Sequence, residues 1–231
     1  MGKRALVTGG TKGIGLSTTI KLKELGFDVT VVGRDFSNFD IDGVKTISFD
    51  LSNVDEIPSL VDEVGDIDVL VNNAGIGIRR DYDDYPNEDI EKIVNVNLKT
   101  PVELITKYAP TLKKNNGRVV NVASQAAEVG HRDVWYGITK AGLVNATKSF
   151  ASLLGPEGVQ VNAVAPGPVE TTMIQGSRYA DRYESIKGRT ILGRIAKADE
   201  IADTIVWLAT DAPEYINGET IDLNNGAQRI K

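Results

Sequence analysis

Tyr136 and Lys140 stand four residues apart in the run Ser124 to Lys140, SQAAEVGHRDVWYGITK. On a helix, positions i and i+4 share one face about a turn apart, so this spacing brings an ammonium up to a phenol. An unperturbed tyrosine titrates near about pH 10, and a fixed positive neighbour favours its phenolate. Tyr136 is therefore a candidate acid/base near neutral pH, with Lys140 as its activator. Ser124 precedes the pair at the end of the apolar, β-branched run Gly117 to Ala123, which reads as a strand delivering a hydroxyl to its carboxyl end. Tyrosine and lysine at this spacing also occur on ordinary surface helices, so the rest of the chain must supply the context.

The elements needed to position those groups recur along the chain. Arg4 to Thr8 is a short apolar run that meets Gly9, Gly13 and Gly15 before a helical pattern reaching about Leu25, where Gly26 stops it. Strand, glycine turn and helix together make a phosphate-binding arrangement: glycines let the backbone approach a pyrophosphate, and unpaired amides at the helix start supply donors. Phe27 to Val32 follows as a second strand and completes a βαβ unit, whose crossover implies parallel pairing. Further strands are expected over Val44 to Phe49 and Ile67 to Val71, with a helix from Asn53 to Val64 between them. One extended helix from near Pro86 through Leu112 is expected to bend or break at Pro101. Then come a helix from Trp135 to Leu154 ended by Gly155-Pro156, a strand at Val159 to Ala165, a helix from Asp199 to Thr210 and a strand at Gly218 to Leu223. Such alternation defines an α/β fold on a parallel sheet. Residues 1–231 read as a single domain, with Pro166-Gly167-Pro168 forcing a turn at a strand's carboxyl end and a substrate loop at about 167–194.

Composition excludes several other chemistries. With 231 residues, 41% hydrophobic and 25% charged, the chain suits a globular protein with one sizeable core. A formal net charge of −6 without a basic stripe speaks against nucleic acid as a partner. No cysteine and a single histidine leave no disulfide framework and too few ligands for the common zinc sites, so no metal is expected. No apolar run approaches the roughly 20 residues that cross a bilayer, and Met1 to Arg4 leads straight into a strand; no membrane association and a cytoplasmic location are expected. The acidic stretch Asp81 to Pro86 lacks the ligand pattern of a calcium loop and reads as solvated, and His131 reads as an exposed loop residue.

Thr8-Gly9-x-x-x-Gly13-x-Gly15, Asn72-Asn73-Ala74-Gly75, Asn97, Ser124, Tyr136-x-x-x-Lys140 and Pro166-Gly167 followed by Thr171 occur in that order across almost the whole chain. In this the sequence resembles the short-chain dehydrogenase/reductase family, in its short single-domain branch. The resemblance implies a Rossmann-type, doubly wound parallel sheet of seven strands with helices on both faces, binding a nicotinamide dinucleotide. It implies an oxidoreductase that interconverts a carbonyl and an alcohol. As hydride reaches the carbonyl carbon, Tyr136 gives a proton to the oxygen and Ser124 orients it; Lys140 supports the phenolate and holds the nicotinamide ribose, and Asn97 anchors a water leading to solvent. It also carries cofactor binding onto Gly9, Thr11, Lys12, Gly13, Ile14 and Gly15 in the turn, Asp50 and Leu51 beside the adenine, and Asn73, Ala74 and Gly75 beside the adenosine. Tyr136, Lys140, Pro166, Gly167, Val169 and Thr171 complete that set near the nicotinamide. The chain has one residue fewer between serine and tyrosine than many relatives, which a short loop at Gly130 to Arg132 has to absorb if Ser124 is to reach the site.

The second strand ends Val32-Gly33-Arg34, so the acid that reads ribose hydroxyls in NAD enzymes of this kind is replaced by glycine, followed by a guanidinium suited to a 2′-phosphate. With Lys12 as a second positive charge, NADP(H) is favoured over NAD(H); the competing reading leaves both cations solvated and gives the ribose to Asp35. Ser124, Gln125, Trp135, Tyr136 and Met173 are the expected substrate contacts, with Ile78, Val129 and Pro168 nearby. The acyl-carrier-protein-linked 3-oxoacyl reductases are similar, and a sugar or polyol dehydrogenase is a second alternative. Those reductases present basic residues near the ends of the two long helices, where this chain has Asn115-Asn116 and Pro156-Glu157-Gly158. A non-catalytic regulator sensing NADP(H) is the alternative from another class; an epimerase or dehydratase would want a longer substrate region. Family members commonly form tetramers through two long helices, here 87–114 and 135–154, so a homotetramer or homodimer is expected.

Overall fold

Successive side chains of a strand point to opposite faces, and along β1 (Arg4–Thr8) Ala5 and Val7 join one apolar layer while Leu6 joins the other. The computed structural model describes residues 2–171 and 188–227. Its further strands are β2 (Asp28–Gly33), β3 (Lys45–Ser48), β4 (Val69–Asn72), β5 (Arg118–Val122), β6 (Gln160–Pro166) and β7 (Thr220–Leu223). They form one sheet in the order β3-β2-β1-β4-β5-β6-β7, parallel at every pairing. The helices flanking it are α1 (Gly13–Glu24), α2 (Ile57–Val64), α3 (Asn87–Val94), α4 (Thr100–Asn115), α5 (Val134–Leu154) and α6 (Ala198–Thr210).

One face of the sheet packs on Leu22 of α1 and on Ile201, Ile205 and Leu208 of α6. The other packs on Ile57 and Leu60 of α2, Leu104, Ile105, Tyr108 and Leu112 of α4, and Ala151 and Leu154 of α5. Both faces are thereby dry, which is why the strands read as unbroken apolar runs. Each fully buried leucine or isoleucine contributes about 1.5–3 kcal/mol relative to exposure. The strand order reverses between β1 and β4, and connections leaving that point in opposite directions open a crevice at the carboxyl ends.

Several boundaries differ from the sequence expectation. The expected extended helix from Pro86 is two helices joined by a π-helical turn at Asn95–Lys99, where the Thr100 amide reaches back five residues to the Asn95 carbonyl. Pro101 lies in the first turn of α4 and has no N–H to give the carbonyl of Asn97, so the regular ladder is already interrupted there. Gly218 stands outside β7 because its φ of 80° is left-handed. Residues 53–56 split into a single-residue approach and a 3-10 turn before α2. Of the expected substrate loop only the ends are described: Val169 bridges Ala196, and the Glu170 amide donates to the Ala196 carbonyl at 2.8 Å.

Candidate active site

The turn from β1 into α1 is closed against the loop after β4. Thr8 Oγ1 accepts from the amides of Asn73 and Ala74, both at 3.1 Å, and Asn73 Nδ2 donates to the carbonyls of Thr8 at 2.9 Å and Gly9 at 3.0 Å. There is no room for side chains beneath the turn: a Cβ on Gly15 would sit 2.3 Å from the Gly9 carbonyl oxygen and 2.4 Å from Asn73 Nδ2. Gly13, at φ 52°, is left-handed as well as crowded by Thr171. The first turn of α1 carries no acidic residue and no side-chain cap, so its amides and partial positive charge are left for a ligand. A pyrophosphate needs that shape and those donors, and the residues present fit a nicotinamide dinucleotide.

From this turn a cleft of about 420 Å³ runs along the carboxyl ends of the sheet. On the β2 and β3 side it is lined by Lys12, Arg34, Asp35, Asp50 and Leu51; over β1 and β4 by Gly9, Thr11, Gly13, Ile14, Asn73, Ala74 and Gly75. Over β5 and β6 it is lined by Ser124, Tyr136, Lys140, Pro166, Gly167, Val169 and Thr171. The Asp50 carboxyl is held below the usual carboxylate range, chiefly by the Ser52 amide and then by its hydroxyl and the charges of Arg34 and Lys92, against the opposing effect of burial. Asp35 is likewise lowered, by the Ser37 amide, which donates to its Oδ1 at 2.9 Å, and by the charge of Lys12.

The end of the cleft that holds Tyr136 and Lys140 is built by α5. Its N-cap, Asp133, accepts the Tyr136 amide on Oδ1 at 2.9 Å. Lys140 is buried at 3% exposure; its Nζ donates to the Val122 carbonyl at 2.7 Å and lies 5.8 Å from the centre of the Tyr136 ring. Burial pulls its pKa down to about 8. Gly75 makes room for that ammonium, since a Cβ there would stand 3.1 Å from Lys140 Nζ. Ser124 caps a 3-10 turn at Gln125–Ala127 and accepts the Ala126 amide at 3.1 Å. Ser124 and Tyr136 both line the cleft across the short stretch that separates them.

Asn97 sits behind the cleft, fully buried. Its Oδ1 accepts from the Ile76 amide at 2.8 Å, and its Nδ2 donates to the Ile76 carbonyl at 2.8 Å and to Thr139 Oγ1 at 3.2 Å. A residue at either end of the π-helical turn acts alike: Asn95 Nδ2 holds the Ser52 carbonyl at 3.0 Å, and Thr100 Oγ1, at the start of α4, the Leu51 carbonyl at 2.6 Å.

Residues 9–228 match the family model described as "Enoyl-(Acyl carrier protein) reductase". The 3-oxoacyl-[acyl-carrier-protein] reductase of Thermotoga maritima is 34% identical over 242 residues, covering 97% of each chain. That of Vibrio harveyi is 35% identical over 248 residues, covering 99% of this chain and 98% of the relative. This chain belongs to the short-chain dehydrogenase/reductase family. A solved structure, 4-hydroxyisoleucine dehydrogenase complexed with NADH, has a TM-score of 0.93 at 25% identity, covering 99% of this chain and 100% of that one. The short-chain dehydrogenase/reductase described here is an oxidoreductase of hydroxyl and carbonyl groups on small molecules, using a nicotinamide dinucleotide.

Within this member of the family, the cleft gathers every expected cofactor residue except Gly15, which packs beneath the turn. Gln125 and Trp135 lie outside the lining, and Gln125 Oε1 packs beside Gly167 instead. Met173 falls outside the described residues. Sequence reasoning missed Phe49, Ile76, Lys92 and Val96, all of which line the cleft. Phe49 and Ile76 adjoin Asp50 and Gly75, and Lys92 and Val96 share a helix face four apart, so adjacency and helical spacing carried the signal. The described residues hold no group of three metal-ligating side chains and no helix long and apolar enough to cross a membrane.

Proposed function

We propose that this short-chain dehydrogenase/reductase is an NADP(H)-dependent carbonyl reductase or alcohol dehydrogenase in which Tyr136 is the general acid/base. The observation that carries the reading is that Ser124, Tyr136 and Lys140 line the same cleft as the glycine turn. A bound nicotinamide supplies or accepts the hydride. In the reducing direction Tyr136 Oη gives its proton to the substrate oxygen as that oxygen gains charge. Ser124, whose oxygen already accepts the Ala126 amide, keeps its hydroxyl proton to donate to the same oxygen. Lys140 uses one of its three protons on Val122 and holds its positive charge beside the phenol. Asn97 fixes the wall formed by Ile76, and Pro101, four residues on, offers the Asn97 carbonyl no N–H; we assign to Asn97 the anchoring of the water that resupplies the proton.

NADP(H) preference rests on Arg34 and Lys12 beside an Asp35 whose Oδ1 is already bonded to Ser37. The names of the curated relatives favour a second reading, reduction of a 3-oxoacyl thioester. The last turn of α4 is more basic than Asn115-Asn116 suggested, with Lys113 and Lys114, but Lys113 is paired to Glu157 at 2.5 Å. We further propose a symmetric homotetramer or homodimer; Val134, Ile138 and Leu153 along α5 are apolar and exposed.

The test is NADPH oxidation across aldehydes, diketones, ketoses and 3-oxoacyl thioesters, repeated with Tyr136→Phe. The variant should bind NADPH as the parent does and lose about 10²–10⁴-fold in turnover. Substantial residual reduction by Tyr136→Phe rejects the proton-donor role, and silence of the parent across the screen favours the regulator.

A further inference from the structure

Asp133 is a carboxylate at 4% exposure, at the start of the helix that carries Tyr136. Besides the Tyr136 amide, its Oδ1 lies 2.8 Å from the hydroxyl of Tyr85, whose single proton is shared with the Ile78 carbonyl at 2.6 Å. Its own amide donates to Nδ1 of His131 at 3.2 Å, and the His131 ring stands 5.3 Å from that of Tyr136. Its Oδ2 is buried with no partner among the described residues and packs against Gly77, where a Cβ would come within 3.3 Å. Two separate pieces of chain therefore meet on this side chain, the segment after β4 and the first turn of α5, while the loop bearing His131 is tied to the backbone of the same residue.

A cap needs only one oxygen, and a serine or threonine supplies it without burying a charge. Burying a carboxylate with one oxygen unsatisfied is costly. This fold keeps it directly beneath the tyrosine and ties it to a loop 48 residues away in sequence. Burial, with Asp133 adding to it, pushes the Tyr85 phenol up to about 12, so it stays a donor across the working pH range. Tyr85 is thus half-buried and engaged, unlike the solvated stretch expected around it.

We infer that Asp133 and Tyr85 are positioning residues: Asp133 sets the first turn of α5 and hence the Tyr136 hydroxyl, and Tyr85 latches the Gly77-Ile78 segment to that same turn and so steadies the wall at Ile76, which lines the cleft. The inference rests on Tyr136 being the acid/base. It divides the two roles between two kinetic constants, because a displaced proton donor lowers kcat, whereas a loosened wall weakens substrate binding and raises KM.

Three variants test it: Asp133→Ala, Asp133→Ser and Tyr85→Phe. NADPH affinity and thermal melting serve as readouts of intact folding. Asp133→Ala should lower kcat about 10–100-fold, as a misplacement of about 1 Å does, with NADPH affinity within about twofold of the parent. Asp133→Ser, which still caps the Tyr136 amide but is too short for Tyr85, should recover kcat to within about threefold and retain a raised KM. Tyr85→Phe should keep kcat and raise KM about fivefold. If Asp133→Ala does not fold, the serine and phenylalanine variants decide alone. Parental kcat and KM in Asp133→Ser and Tyr85→Phe, equal loss of kcat in the alanine and serine variants, or loss of NADPH binding in step with kcat would each overturn the inference. Tyr136→Phe run alongside separates the levels: if it stays active, the acid/base reading fails; if it is dead while the Asp133 variants match the parent, only the positioning fails.

Discussion

Lys140 is an ammonium taken almost wholly out of water and held by the Val122 carbonyl. Its pKa in the folded protein, about 8, lies below the 10.5 it has in an unfolded chain. Between those values the unfolded chain holds a proton at this site that the folded one has released, so stability rises with pH through that window. The slope from one such proton is at most about 1.4 kcal/mol per pH unit. On the proposed mechanism turnover should move the other way, because the charge that would support a Tyr136 phenolate disappears as pH passes about 8. Denaturant melts of the cofactor-free protein between pH 7.5 and 10, against Lys140→Met, should show the parent gaining relative to the variant, and kcat/KM for reduction should fall over the same range. A parent and variant that run parallel with pH would show that Lys140 does not titrate there. The i,i+4 spacing announced this lysine; its burial, which fixes where it titrates, comes from Gly75 and the end of β5.

At the scale of elements, the glycine turn works because two loops from distant parts of the chain interlock under it. Gly15→Ala would drive a methyl into the Gly9 carbonyl and the Asn73 amide, and overpacking of this kind costs about 1–3 kcal/mol. The variant should lose at least about tenfold in NADPH affinity and melt lower. Gly130→Ala, with nothing within 4 Å of the added carbon, should match the parent in both measurements. Equal behaviour of the two variants would separate cofactor binding from the packing of this turn. The π-helical turn was illegible for a different reason. Apolar positions Ile90, Ile93 and Val94 fit an ordinary helix, and a widened turn changes phase by a single residue that the pattern of apolar side chains absorbs. Its purpose is visible only in space, where Asn95, Asn97 and Thr100 each reach a loop that borders the cleft.

For the molecule as a whole, the strand order decides what can share a ligand. Because β2 lies on one side of β1 and β4, β5 and β6 on the other, Arg34 and Tyr136 come to opposite ends of one cleft. A ligand spanning that cleft binds only the folded chain and should stabilise it by about 2.7 kcal/mol at a hundred times its dissociation constant. For a chain of this size that corresponds to about 5–10 °C in melting temperature. NADPH should raise the melting temperature more than NADH at equal concentration, and Arg34→Asp should cancel or reverse the difference, since a carboxylate repels a 2′-phosphate and accepts from ribose hydroxyls. An unchanged ranking in Arg34→Asp would assign the discrimination to another group.

Strand, glycine turn and helix, the tyrosine and lysine four apart, and the family were all legible in the chain itself, because each depends on local spacing and backbone chemistry. Sheet order, the burial of Lys140, the packing of Gly15 beneath the turn and the meeting of Asp133 with Tyr85 were decided by tertiary structure. Those depend on which distant segments touch, and a contact between residues far apart in sequence leaves no period or spacing for a reader of the sequence to find.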